Sequence, residues 1–499
     1  MKNIIYFLFL TMAISSCQPN RNELTKQKDY SFLTDSLMID QQLENHKLAG
    51  FSLVVFENYN IVYSNQFGLK SVNSNEKIDH NTAFSTASIS KPITALLCFI
   101  LDEKGLIDLD EPIDNYLKSW HLPKSQFTEI KNPTWKQFLN HTAGTSQHGF
   151  ADFYEGDTIP TIKQSLLGKL PRYDKEIEFL FTPGTSWSYS GGGYVIVQMA
   201  LEDTLNKSIA ELTDEYIFSP LDLKNTTMVQ PNQKGFLTNV AFVHDKDNNV
   251  IKTGLPITPQ VAPSGLWSTP TDLTKLTIEI QNALRNKENQ VISHNVAKKI
   301  IEVTALKDAV GGWSYGWQRS FGFDNYDWFM CNGSNTGVGG DIFATTTDGN
   351  GFVFLANGEK PNRFPVIDQT RRKLLSLMNW KRELSKEETL QIPNELKASL
   401  IGTYKDFLYG QGMPTKILER NNRLYVESPF FQHFKGQKDS ELIYLKTGLF
   451  KIIDYPNSLK FNIRNGAIHS VIIERDNLDV EIELSSTEKS RVGKGESHP

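Results

Sequence analysis

The sequence predicts an α+β protein. An antiparallel sheet, flanked by helices, is assembled from two distant stretches of chain, and a second, smaller β domain follows it. Three observations lead there. Apolar runs Leu53–Phe56 and Ile61–Tyr63 flank Glu57-Asn58-Tyr59-Asn60, the pattern of a hairpin. A similar pair, Ile342–Thr346 and Phe352–Leu355, flanks Asp348-Gly349-Asn350-Gly351, and between the two hairpins the chain reads as largely helical and loop-like. Beyond about Arg382 the texture changes to a polar stretch and then short strand-like runs. At 499 residues the chain exceeds what one core usually organises, so at least two domains are expected.

The elements follow in order. Lys2 gives a positive start, and Ile4–Ile14 is apolar but too short to span a bilayer. Ser15, Ser16 and Cys17 follow, and Ile-Ser-Ser-Cys resembles a bacterial lipobox, in which the Cys is acylated and becomes the new N-terminus. The expected product is exported and lipid-anchored to a bacterial membrane through Cys17, facing the periplasm or the cell exterior. A plain signal peptide with a chance Cys is the alternative. This gives a signal peptide over 1–16 and a polar tether over 17–34, ahead of a domain over 35–382. After the second hairpin Val366–Met378 reads as a helix. A linker over 383–397, with Pro393 as punctuation, leads to a small β domain over 398–484. Its strands are expected at Leu424–Val426, Leu442–Leu445, Leu449–Ile453, Leu459–Ile463 and Ile468–Ile473, with turns at Asn421-Asn422 and Asn465-Gly466. Residues 485–499 read as a polar, disordered tail.

Composition narrows the function. Against 57 Asp and Glu stand 52 Lys and Arg, a net charge of −5 with no basic block, so no nucleic-acid partner is expected. Three cysteines, Cys17, Cys98 and Cys331, make no disulfide framework, and the ten His are scattered without metal-ligand spacing; no metal or cofactor is expected.

Ser-x-x-Lys occurs three times. Ser74–Lys77 and Ser486–Lys489 lie in polar stretches. Ser88-Ile89-Ser90-Lys91 instead opens a helix: Ile93, Leu96, Leu97 and Ile100 recur at helical spacing, Pro92 falls in the first turn, and Gly105 closes it. One helical turn puts Ser88 and Lys91 on the same face. A buried lysine there can serve as base, and the helix N-terminus favours charge developing on a reacting acyl oxygen. The competing reading is a helix that merely begins with polar residues.

Phe84-Ser85-Thr86-Ala87-Ser88-Ile89-Ser90-Lys91 resembles the active-site segment of the β-lactamase-related serine hydrolases, a family of class C β-lactamases, D,D-carboxypeptidases, D-aminopeptidases and carboxylesterases. Three more segments match in the family's order: Leu139-Asn140-His141-Thr142-Ala143-Gly144; Phe181-Thr182-Pro183-Gly184 leading to Tyr189-Ser190-Gly191-Gly192-Gly193-Tyr194; and Ser264–Leu273. The resemblance spans roughly Ile39 to Met378. It implies the β-lactamase/transpeptidase-like fold, an antiparallel sheet flanked by helices plus a helical subdomain. It also implies acyl transfer to Ser88 with Lys91 as base and Tyr189 as proton relay, while His141 holds a turn.

Two positions depart from the pattern. Gly191 stands where many members have Asn, a substrate contact. Cys331-Asn332-Gly333-Ser334-Asn335-Thr336-Gly337 resembles the family's third motif with Cys331 in place of Lys or His. A literal Lys446-Thr447-Gly448 is set aside because it lies in the added β domain. By resemblance, the backbone N–H groups of Ser88 and Ser334 form an oxyanion hole, and Gly191, Cys331, Asn332, Gly333 and Asn335 meet the substrate. A neutral thiol cannot hold a carboxylate as a cation would. The expected substrate is therefore a small-molecule ester, a small amide or a D-amino-acid peptide. A β-lactamase or D,D-carboxypeptidase is the enzymatic alternative, and a pseudoenzyme that only binds is the other. In the added domain Tyr404, Tyr425, Phe430 and Phe431 are expected to form core.

Overall fold

The computed structural model describes residues 28–488 apart from 172–173, 288–290, 309–310, 324–325, 381–388, 406, 409–412, 446–447, 454, 456–457, 465, 475–479 and 485. Cys17, the signal segment, Lys446 and residues 489–499 lie outside the described residues. No helix among the described residues is long and apolar enough to cross a membrane.

Asn58 and Tyr59 both adopt positive φ, a turn whose twist matches that of paired strands, so Gly50–Glu57 (β1) and Asn60–Gly68 (β2) form a hairpin closed at Glu57 and Asn60. The other strands of this sheet are Ala305–Asp308 (β3), Gly311–Trp313 (β4), Gln318–Phe323 (β5), Tyr326–Asn335 (β6), Val338–Thr345 (β7) and Gly351–Ala356 (β8). Their order is β2-β1-β8-β7-β6-β5-β4-β3, antiparallel throughout. The two predicted hairpins thus meet at the β1–β8 pairing, Phe51 opposite Ala356.

Strands β1, β7 and β8 are buried along nearly their whole length because helices cover both faces. Alternation sorts their side chains. Val353 and Leu355 face the larger core beneath Pro270–Leu284, while Phe352 and Phe354 face a second core under Lys360–Met378. The helix expected at Val366–Met378 begins six residues earlier and carries Pro365 inside.

Strands β3 to β6 fall within the stretch that the sequence presents as helical and loop-like. The Gly and polar residues of Gly311-Gly312 and Asn332–Asn335 hide β4 and the end of β6 from a search for apolar alternation, and for β6 the pairing against β7 overrides that weak local signal.

The C-terminal unit is an antiparallel sheet of Gly402–Lys405 (β9), Pro414–Arg420 (β10), Arg423–Glu427 (β11), Asp439–Leu445 (β12), Phe450–Ile452 (β13), Ser458–Arg464 (β14), Ala467–Glu474 (β15), Val480–Glu483 (β16) and Ser486–Glu488 (β17). Each of β9 to β16 pairs with its neighbour in sequence, and β17 pairs with β9, so the last two strands lie at opposite ends of the sheet order. Two boundaries are corrected by this. Ser486–Glu488 belongs to the sheet and not to a disordered tail, because it supplies the partner that β9 needs. The expected linker also contributes structure: Thr389–Leu390 pairs with β12, and Pro393 caps the helix Asn394–Leu400. Tyr404, Phe430 and Phe431 are buried in the core of this unit. Tyr425 instead faces outward under the Arg420 guanidinium, 4.1 Å from its ring centroid.

Candidate functional site

The nucleophile turn begins with a strained residue. Ala87 is buried and has φ +50, a conformation costing about 1–2 kcal/mol for a residue with a Cβ. Ser88 follows in the short 3₁₀ turn Ala87–Ile89, and the helix Ser90–Glu103 continues from it. The surroundings hold this turn in place. Thr86 N donates to Leu266 O, Leu266 N donates to Ser90 Oγ, and Ser90 Oγ donates to Ala87 O. Phe84-Ser85 also pairs with Trp267-Ser268. The Ser264–Leu273 segment therefore acts as the clamp of the nucleophile turn.

Three predicted side chains converge. Ser88 Oγ lies 2.9 Å from Tyr189 Oη, and Lys91 Nζ donates to Ser88 Oγ at 3.2 Å. Lys91 is 4% exposed, donates to the Pro263 carbonyl at 2.9 Å, and is in no ion pair among the described residues. Pro263 was not legible as a site residue, because a backbone carbonyl leaves no side-chain signature. Tyr189 is positioned by the helix Gly191–Leu205, whose N-cap Ser190 accepts from Gly193 N. His141 organises the approach. Its carbonyl accepts from Ser188 N, its Nδ1 accepts from Ser190 N, and its ring lies 4.4 Å from that of Tyr189. Burial, reinforced by the nearby Lys91 charge, holds the His141 imidazole well below its ordinary pKa, so it stays neutral.

A cleft of about 440 Å³ opens over these groups. Gly191, Cys331, Asn332, Ser334 and Asn335 line it with Ser88, Lys91 and Tyr189. Strand β5 ends opposite Met330, so Cys331–Asn335 runs on past it with only β7 as partner. Gly333 does not line the cleft. It packs against the nucleophile turn, where an added Cβ would sit 2.0 Å from Thr86 O. Cys331 is buried, its thiol directed at the carbonyl of Ser88 at 3.7 Å, and burial pushes its pKa up to about 12. It is a neutral group. At Gly191 an added Cβ would lie 3.0 Å from both His148 O and Phe150 Cε2, so the segment around Phe150 occupies the space of the family's Asn.

The sequence also did not reveal Arg363 and an aromatic wall. Arg363, buried on the helix Lys360–Met378, donates to Ser334 Oγ and to Gly358 O, bracing β6 from behind the cleft. Trp187 and Trp313 stack along one side of the cleft beside Phe150.

Comparison with known proteins identifies relatives of this chain. Residues 37–377 match the sequence model of the family described as Beta-lactamase. Penicillin-binding protein 4* of Bacillus subtilis (strain 168) is 27% identical over 184 residues, covering 37% of this chain and only 38% of that protein. The teichoic acid D-alanine hydrolase of Staphylococcus aureus is 24% identical over 334 residues, 65% of this chain and 74% of the relative. An octameric penicillin-binding protein homologue from Pyrococcus abyssi shares the fold with a TM-score of 0.58 at 17% identity, over 92% of this chain and 99% of that one.

Proposed function

Because the chain belongs to the Beta-lactamase family, we propose that it is a serine hydrolase cleaving an ester, a small amide or a D-amino-acid peptide through an acyl-enzyme on Ser88. One observation carries this reading: the Ser88 hydroxyl sits between an amine and a phenol, 3.2 Å from Lys91 Nζ and 2.9 Å from Tyr189 Oη.

In this mechanism Lys91 takes the proton of Ser88 as Oγ bonds to the substrate carbonyl carbon. The carbonyl electron pair moves onto oxygen, which the N–H groups of Ser88 and Ser334 receive. Tyr189 then passes a proton to the leaving atom as its bond to that carbon breaks. Water attacks the acyl-enzyme, gives its proton back through the same pair, and frees Ser88 and the acid. Arg363 keeps the Ser334 edge in register. The relative named teichoic acid D-alanine hydrolase supports hydrolysis as the reaction and a D-alanyl group among the candidates.

Neutral esters are the preferred substrates in this reading. The Cys331 thiol offers a carboxylate no charge-assisted hydrogen bond, an interaction worth about 1.5–3 kcal/mol. The test is direct. A fluorophosphonate should label Ser88, and p-nitrophenyl acetate or butyrate should be hydrolysed faster than nitrocefin. Nitrocefin turnover exceeding that of every ester would replace this reading with a β-lactamase. We propose in addition that Cys17 carries a lipid anchor. Native protein should then partition into detergent, and Cys17→Ser should abolish the partitioning.

A further inference from the structure

One side of the cleft is built of rings. From it we infer that the enzyme selects substrates whose leaving group is a flat, uncharged, hydrophobic alcohol or amine; this rests on the acyl-enzyme reading above. Trp187 and Trp313 stack with centroids 5.0 Å apart and 26° between their planes. Trp313 lies 6.1 Å from the Tyr189 ring, and both indoles are partly exposed to the cleft. His141 meets each of them edge-on, at 6.0 and 5.7 Å, so the wall is in place before substrate arrives. Tyr189 Oη delivers the proton to the leaving atom, and whatever flanks its ring therefore flanks the leaving group. The oxyanion donors belong to the nucleophile turn and the β6 edge, not to this wall.

The two departures from the family pattern point the same way. Where a cation and an amide would stand, this chain has the neutral Cys331 thiol and the Phe150 ring packed over Gly191. Among the described residues Lys91 is the only Lys or Arg side chain lining the cleft, and it is already engaged by Ser88 and Pro263; the His148 ring, 4.8 Å from that of Tyr189, adds a further flat surface. A flat apolar group gains by leaving water for this surface. A carboxylate there would lose its hydration without a lysine or arginine free to replace it.

Benzyl acetate and ethyl acetate, whose alcohols are of similar acidity, separate the wall from the chemistry when both are followed by pH-stat titration. The parent protein should favour the benzyl ester. Trp313→Ala should lower the benzyl-to-ethyl ratio of kcat/KM about tenfold, and Trp313→Phe, which keeps a flat ring, should hold that ratio within about twofold. An unchanged ratio in Trp313→Ala, with both esters still hydrolysed, overturns the wall and leaves the acyl-enzyme reading standing. Calorimetric binding of 2-naphthol to Ser88→Ala needs no catalysis. Binding that disappears when Trp313→Ala is added supports the wall and binding that persists overturns it, while fluorophosphonate labelling of Ser88, which does not depend on the wall, tests the acyl-enzyme reading by itself. Failure of 2-naphthol to bind overturns the wall.

Discussion

In the C-terminal sheet each strand from β9 to β16 pairs with its neighbour in sequence, and the last strand, β17, returns to pair with β9. The central sheet is assembled differently: its first hairpin pairs with its last, and β5 stops at Met330 while β6 runs on. The first arrangement fills its interior with Phe430, Phe431, Leu424 and their neighbours. The second leaves Cys331–Asn335 with a strand partner on one side only, its other side set against the nucleophile turn and the cleft. Both sheets are antiparallel and both bury aromatic cores. What separates a packed unit from one bearing a site is an edge left open beside a nucleophile turn.

The comparison can be broken most decisively at Ser88. Ser88→Ala should lower ester hydrolysis by about 10⁴-fold or more, as loss of a nucleophile does in serine hydrolases generally, with the melting profile little changed. Residual activity near the parent level would move the chemistry away from the open edge. The C-terminal sheet should answer in stability and not in activity. Phe430 is fully buried against Phe431, with ring centroids 5.2 Å apart. Phe430→Ala should destabilise the C-terminal unit by about 3–5 kcal/mol in calorimetry, while hydrolysis of p-nitrophenyl acetate persists. A parallel loss of activity would mean that the two units are not separable.

A finer test lies along the open edge. Cys331→Lys should raise turnover of carboxylate-bearing esters over neutral ones by about ten- to a hundredfold, the worth of one charge-assisted hydrogen bond. Equal changes for both would show that this position does not meet the substrate. The smallest effect belongs to His141. It stays neutral when folded, whereas the unfolded imidazole takes up a proton below about pH 6.5. Its contribution to stability is complete above that pH and is lost as pH falls, by on the order of 1 kcal/mol per pH unit. His141→Gln should therefore show a shallower acid-side decline in Tm than the parent, and identical slopes would mean that the imidazole is protonated in the fold.

How much of this was legible in the sequence follows the same division. Both hairpins of the central sheet could be read, because buried strands there are runs of Val, Ile, Leu and Phe closed by turn residues. The Ser88 helix announced itself through apolar spacing, and Tyr189 through its place in an ordered set of motifs. The end of β6 was hidden, since Asn332-Gly333-Ser334-Asn335 beside the cleft lack the residues that strands favour. Pro263 acts through its carbonyl and Arg363 from behind the strand, so neither leaves a local pattern. Trp187 and Trp313 are far apart in sequence, and only the fold stacks them.

The pairing of Phe51 with Ala356 also has a consequence in time. As the chain emerges from the ribosome, the β1–β2 hairpin is complete long before β8 exists, and its apolar inner strand has no partner until most of the domain has been made. Closing so distant a contact is slow, and a waiting edge of Phe51, Leu53 and Val55 invites wrong pairing in the interval. The C-terminal sheet has no such delay for its hairpins, each of which can zip as soon as it is synthesised. On contact-order grounds the first strand's wait for the last is the expected slow step of folding, in the same sheet that bears the site.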